Sequence, residues 1–435
     1  MNIIDIIVAL VFATITIFIV AKTTFFKIPK ASNKLSVLLW CIKLIATLTF
    51  FLTYTFYEPY AKGNDSIVYY KDGKKLNEIA YKNPPRFFRT MLGIQNQDDE
   101  VALKNLNYWN RSFQTVVPND NRTIIRINAL LHFISFGSYL AHLILMSFFA
   151  FLGLMALYKS TILLFPNMQW WAILPIFIIP STIFWSSGNI KEPILIFAMG
   201  FSILYFIKLN IKFDYKKLIG FTLFMLLLFF IKSYIFFLLL PLMLSYLLQQ
   251  KFHFKRVWLT YLGVYFVLIL SGLLVGYIFP AYSFTYLIYD KNSCFIDMTQ
   301  TFGAGSGFDI PELEDNIFSL IIHTPLALFN SLTRPFIWEA DIWTKMLAAL
   351  ENIALITLLI VLIYKTNFKE MTKSSSFWFY IIFAISILVL SGLVTSNMGA
   401  LVRYKSPALP FIFISFMAFM KKPKFDKKIY KLLLK

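Results

Sequence analysis

Charge is scarce in this chain. Only 14% of its 435 residues are Asp, Glu, Lys or Arg, against 58% hydrophobic. A water-soluble chain carries about a quarter charged residues, so a soluble globular fold is excluded. Cysteine is scarcer still. Cys41 and Cys294 stand alone, too few for a disulfide framework. The four histidines, His132, His142, His253 and His323, have no Cys or carboxylate at ligand spacing, so no metal motif is readable. There is no Gly-x-Ser-x-Gly elbow and no glycine loop followed by Lys-Ser/Thr, which leaves hydrolase and nucleotide-binding readings unsupported and implies no cofactor. Acidic residues are also few, 22 against 41 basic, for a net charge of +19. That excess suggests nucleic acid only until it is mapped along the chain.

What remains is apolar. Mean hydropathy is +0.68, and runs near the length of a bilayer crossing recur. The pattern predicts an all-α integral membrane protein, one polytopic domain over 1–435. Eleven spans are expected, near 4–20, 37–57, 127–158, 169–186, 190–207, 218–231, 234–248, 257–279, 346–364, 377–395 and 402–420. The first run, "MNIIDIIVALVFATITIFIV", has no basic n-region and no cleavage site and reads as a span. A β-barrel is excluded, because its strands would be about ten residues long and alternate apolar with polar.

The cations orient the spans. Linkers 21–36, 208–217, 249–256 and 365–376 and the tail 421–435 are all basic, and basic short linkers stay cytoplasmic. All five agree on N-terminus outside and C-terminus inside. Two long loops, 58–126 and 280–345, then lie outside. Stretches such as "DNIFSLIIHTPLALFNSL" suit helices lying along the membrane surface. The spans near 169–186, 190–207, 218–231 and 234–248 look too short for about 30 Å of hydrocarbon. The turn in "PSTIFWSSGNIKEP" (180–193) is therefore expected to line an outward recess. A transporter or flippase would show paired broken helices in related halves and charged residues at mid-depth; neither is read here, since the conspicuous charges sit at one face.

Seven of eight arginines fall outside: Arg86, Arg89, Arg111, Arg122, Arg126, Arg334 and Arg403. Lysine is the default cation here, so an arginine hints at a need for its planar fork. Arg403, Lys405, Lys232 and Arg334, with Lys191, Ser186 and Ser187 of the turn, would make a cationic rim suited to phosphate. A helix beginning near Pro193 would add its N-terminal amides. For acid–base chemistry the outer candidates are Asp65, Glu192 and Glu339.

Asp65 in the first outer loop, the "PSxxFWSSGxxKE" turn, the "RPFxWE" segment around Trp338 and the terminal "RYKxPxLP" with Tyr404 together resemble the GT-C superfamily of polytopic membrane glycosyltransferases. That superfamily includes the dolichyl-phosphate-mannose protein mannosyltransferases. Membrane polymerases of O-antigen and exopolysaccharide are similar too. The resemblance implies a sugar on a polyprenyl-phosphate carrier as donor, a glycan or lipid acceptor, and Asp65 as base. It places the chain in a bacterial cytoplasmic membrane. The sequence departs in one respect: the acidic loop follows the second span rather than the first. Transferase, polymerase and, outside the enzymes, transporter all remain readings.

Overall fold

The computed structural model describes residues 3–61, 64–110, 118–302 and 306–421. Arg111 and the tail from residue 422 lie outside them. The described residues are helical throughout, with no strand among them. In chain order the helices are α1 Ile3–Lys22, α2 Asn33–Phe56, α3 Glu58–Ala61, α4 Asp65–Lys82, α5 Pro84–Leu92, α6 Gln97–Leu103, α7 Asp120–Ser135, α8 Tyr139–Leu164, α9 Ile173–Phe177, α10 Pro180–Trp185 and α11 Lys191–Ile211. They continue with α12 Tyr215–Ile231, α13 Ser233–Phe252, α14 Val257–Ile278, α15 Phe284–Phe302, α16 Ile317–Thr333, α17 Trp343–Lys365, α18 Phe368–Met371, α19 Ser375–Val394, α20 Met398–Lys405 and α21 Leu409–Met417. Two compact units emerge: residues 1–160 with 183–233, and residues 161–182 with 234–435.

Loop-end Asn, Asp and Ser residues start many of these helices by accepting from an orphan amide. Asn64 does so for α4, Asn83 for α5, Asn119 for α7, Asp214 for α12, Asn316 for α16, Ser374 for α19 and Asn397 for α20. Eight helices, α1, α2, α8, α11, α13, α14, α17 and α19, are long and apolar enough to cross a membrane. Their burial separates them. Only 17%, 11% and 17% of the apolar windows of α1, α14 and α17 are buried, against 72%, 61% and 61% for α8, α11 and α19. The former suit contact with lipid and the latter form interior packing. In the first unit α8 and α11 cross at Gly153 and Gly200, where a side-chain carbon on either glycine would run into the other helix's backbone. Small residues let backbones approach in this way.

Several expectations change. The expected span 127–158 is two helices, parted where Phe136 and Gly137 take left-handed backbone (φ 51 and 76). Two spans expected to be short are not. α11 starts at Lys191, before Pro193, and runs 21 residues; α13 runs 20. Proline is tolerated there because the first turn needs no donor from it. α12 has 17 residues. The segments 169–186 and 402–420 are interrupted, into α9 and α10 and into α20 and α21. Pro180 opens α10 and Pro410 lies in the first turn of α21. Residues before a proline are steered out of helix.

In the second unit α16 packs along α19 rather than standing apart. Ser331 Oγ donates to Leu388 O (2.7 Å), and Gly392 lies against Ala327 and Ser331. Charged residues also occur within long helices, Lys43 in α2 and Glu351 in α17. Two apolar segments are thus interrupted, and two of the long helices carry a charged residue within them.

Candidate functional site

In the first unit, Asp65 opens α4. Asn64 caps that helix by accepting from Ile67 N (3.0 Å) and is itself tied to Tyr54 O and Tyr60 O (3.0 and 2.8 Å). Asp65 therefore sits at a fixed helix N-terminus, where an anion is favoured. The Tyr108 phenol hydrogen-bonds to Asp65. Asp72 lies two turns along on the same face of α4. Its carboxylate accepts from Asn107 N (3.0 Å), Asn107 Nδ2 (3.2 Å) and Tyr108 N (2.8 Å). Tyr108 is thus held at both ends along α4. Burial pushes its phenol up, and the Asp65 and Asp72 charges add to this.

Lys191, the first residue of α11, pairs with Asp120, the first of α7, at 2.8 Å. Its ammonium lies 5.8 Å from the Tyr69 ring centre. Tyr69 donates to Asn121 Oδ1 (2.9 Å). Lys232 and Asp65 both act electrostatically on Lys191. Lys232 ends α12, which is joined to α7 by Thr123 Oγ1 donating to Phe230 O (3.1 Å). Asp65, Lys191 and Lys232 are therefore brought into one neighbourhood, together with Tyr108 and Asp120.

Ser186 and Ser187 are fully buried and engaged elsewhere. Lys43 Nζ donates to Ile183 O (2.8 Å), to Ser187 Oγ (2.9 Å) and to Ser186 Oγ. Both serines donate to Ile183 O (3.1 and 2.7 Å). Gly188 packs on the face of Phe50, and Asn189 Nδ2 donates to Ser66 O (3.1 Å). Glu192 is 1% exposed. The turn is therefore a packed, internally bonded element. Lys191 is the member of it that reaches the acidic groups.

The described arginines of the first loop, Arg86, Arg89, Arg122 and Arg126, are engaged within that loop. Asp99 is clasped by Arg86 and Arg89, whose guanidiniums hold its carboxyl well below the usual range, the Arg89 hydrogen bond most of all. Arg122 and Arg126 lie 5.1 and 5.3 Å from the Trp109 ring. His132 and His142 have ring centres 4.3 Å apart and bond to Tyr70 O and Asn128 Oδ1. Among the described residues no three metal-ligating side chains gather.

In the second unit, Glu339 uses both oxygens locally. One pairs with Arg334 (3.1 Å) and the other accepts from Phe336 N (2.8 Å). The Arg334 guanidinium lies 4.5 Å from the Phe308 ring. Trp338 is 81% exposed and stacks on Phe336 at 4.7 Å. Lys405, expected on a rim, is 2% exposed. Its ammonium donates to Arg334 O (2.9 Å) and Asn352 Oδ1 (2.8 Å). Arg403 lies over Tyr404, 6.0 Å from its ring centre, and Tyr404 meets Phe295 edge-on.

Sequence reasoning passed over Lys43, Asp72, Tyr108, Asp120 and Glu351. Lys43 had a signal, since it is a lone cation within an apolar run. Tyr108 and Asp120 had none, because only folding of the first loop brings them to Asp65 and Lys191. No family model matches the chain, and no curated protein or solved structure matches it significantly.

Proposed function

We propose that the chain is a membrane glycosyltransferase of the outer face of a bacterial cytoplasmic membrane, moving a sugar from a polyprenyl-phosphate carrier to an acceptor hydroxyl. It would cross the membrane eleven times: by the eight long helices, by α12 and by the two interrupted segments. The observation that carries the reading is the Lys191–Asp120 pair (2.8 Å), with the helix-terminal carboxylate of Asp65 and the ammonium of Lys232 within electrostatic reach of Lys191. In the transfer, the bond from the anomeric carbon to the phosphate oxygen breaks and a bond to the acceptor oxygen forms. Asp65 takes the acceptor proton. Lys191 and Lys232 hold the departing phosphate and stabilise its charge. Tyr108 fixes the orientation of the Asp65 carboxylate. A lipid-linked polysaccharide polymerase is the neighbouring enzyme reading, with donor and acceptor both lipid-borne.

A transporter or flippase is the second reading. It is favoured by the interrupted segments and by Lys43 and Glu351 within long helices, features that mark substrate paths in membranes. One set of vesicles separates the two. Protein reconstituted with a radiolabelled polyprenyl-phosphate sugar and a glycan acceptor is expected to form labelled glycan. Asp65→Asn is expected to slow that transfer about 10²–10⁴-fold. Movement of labelled lipid between leaflets without transfer, unchanged in Asp65→Asn, refutes the enzyme.

A further inference from the structure

The loop expected to carry surface helices contains a helix that follows a spanning helix inward. α16 packs on α19 through one face. Leu320 and Ala327 cluster with Leu393 and Val394, Gly392 meets Ala327 and Ser331, and Ser331 Oγ donates to Leu388 O (2.7 Å). As residue numbers rise on α16 they fall on α19, so the helices are antiparallel. Arg334, three residues past Ser331, is then level with about residue 385. That is the middle of Ser375–Val394, roughly 14 Å from its outer end at 1.5 Å per residue.

α17 gives the same level independently. Asn352, the tenth of its 23 residues, donates to Thr333 O (3.2 Å) and Pro335 O (3.3 Å). Glu351 beside it accepts from Ser181 N (3.0 Å) at the start of α10, and Thr182 Oγ1 donates to Ser406 O (3.0 Å) between α20 and α21. Lys405 bonds to Arg334 O and Asn352 Oδ1. Three irregular stretches of backbone therefore meet at half the length of two spanning helices, and among their backbone groups Thr333 O, Arg334 O, Pro335 O, Ser181 N and Ser406 O bond there to side chains. Non-helical backbone at that depth requires such satisfaction.

The other face of α16 is also apolar. Phe318, Ile321, Ile322, Leu326 and Phe329 are 72%, 60%, 70%, 45% and 53% exposed. No residue of Ile317–Thr333 is Asp, Glu, Lys or Arg. A helix lying at the surface presents a charged face to water; one apolar all round is surrounded by protein and lipid.

We propose that residues 317–342 are re-entrant. α16 enters the bilayer beside α19, the chain turns at Arg334–Glu339 near half depth, and it returns to the same face to begin α17. The stacked Phe336 and Trp338 meet lipid hydrocarbon at the turn, and the Arg334–Glu339 pair neutralises its own charge. Lys405 anchors the turn by closing the carbonyl end of α16.

Depth-dependent quenching tests this without reference to activity. Single cysteines replace Glu312, Ile322, Phe329 or Trp338 in protein lacking Cys41 and Cys294, and each carries an environment-sensitive fluorophore in phosphatidylcholine vesicles. The quenchers are iodide in water and nitroxide lipids labelled near the headgroup or in mid-chain. Re-entrance predicts iodide quenching at Glu312 and preference for the headgroup nitroxide at Ile322. At Trp338 the mid-chain nitroxide should be favoured about twofold in a ~30 Å hydrocarbon layer, and Phe329, level with about residue 390 of α19, should fall between Ile322 and Trp338. Ile337, 41% exposed, replaces Trp338 if that variant does not fold. Equal headgroup preference at Ile322, Phe329 and Trp338 means a surface helix and overturns the proposal. Iodide quenching at Trp338 places water at the turn and overturns the lipid contact.

Discussion

Lys43 offers the sharpest test of the first unit's packing, because its partners are all neutral. Its three donors meet three oxygens: Ile183 O, Ser186 Oγ and Ser187 Oγ. That count matches an ammonium, which has three protons and no acceptor. Both serine hydroxyls also lie within bonding distance of Ile183 O, a carbonyl with two lone pairs that they share with the lysine, and their own oxygen lone pairs face the ammonium. Removing the serines and removing the lysine are therefore unequal perturbations. Ser186→Ala with Ser187→Ala strands a buried charge that has lost two of three acceptors. Each hydrogen bond to a charged group contributes about 1.5–3 kcal/mol, so the pair should lose about 3–6 kcal/mol. Lys43→Met keeps the volume and removes the charge that needed those acceptors. Ile183 O stays satisfied by the serines, and the change should cost about 1 kcal/mol. The triple variant, apolar throughout, should recover most of the double variant's loss.

The assay is thermal unfolding in detergent micelles, followed by tryptophan fluorescence with all four proteins side by side. The expected order of midpoints is wild type, Lys43→Met and the triple variant close together, with the serine pair clearly below. A Lys43→Met midpoint lower than that of the serine pair would refute the reasoning. It would mean that the ammonium adds stability through a compensating anion and is not a burden met by the turn.

Gly188→Ala places a methyl group inside the Phe50 ring and should lower stability by about 1–3 kcal/mol through overpacking, read in the same unfolding assay. Tyr108→Phe should leave folding intact, since Asp72 still holds its backbone, but slow sugar transfer in vesicles, with no further loss when combined with Asp65→Asn. Asp99 is depressed in the folded protein, so its contribution is complete above about pH 4, the ordinary carboxyl value, and fades as pH falls below it. Protection factors of the α5 and α6 amides, corrected for the intrinsic exchange rate at each pH, should fall on acidification from pH 6 to pH 3, and Asp99→Asn should remove that dependence. For orientation, cysteines at exposed Asp98 and Glu312 should react with an impermeant thiol reagent on intact cells and cysteines at Lys216 and Lys369 should not; the opposite pattern reverses the topology.

The membrane class and the placing of most long apolar helices were legible because they depend on composition, and an apolar run needs no partner to be recognised. The starts of α4, α7 and α20, capped by Asn64, Asn119 and Asn397, were not read from the sequence. Helix ends were less legible. Pro193 suggested a first helical position, yet the helix begins two residues earlier, because a proline in the first turn loses no bond whichever place it takes. The interruptions had a local signal, Pro180 and the Pro407–Pro410 pair, masked by the apolar residues around them. Site residues were legible only in part. Asp65, Lys191 and Lys232 drew attention singly, but Tyr108 and Asp120 reach them through the fold of the first loop, which no local pattern encodes.

Where the lysines lie bears on the choice between the readings. Lys43 and Lys405 are both buried, and both bond to backbone carbonyls and neutral side chains at helix ends. A cation at a helix C-terminus offsets the carbonyls left without donors there, so each lysine has a local task in its own unit. Charges so engaged explain the interrupted helices without a transported ion. Lys191 differs. It pairs with a carboxylate at the start of a helix and lies near a second carboxylate and a second lysine. No orphan carbonyl end accounts for that arrangement. A cluster of both signs beside a fixed carboxylate is what proton transfer to Asp65 and charge stabilisation on a departing phosphate require. That arrangement supports the proposed transferase over a transporter, and the proposal turns on Asp65.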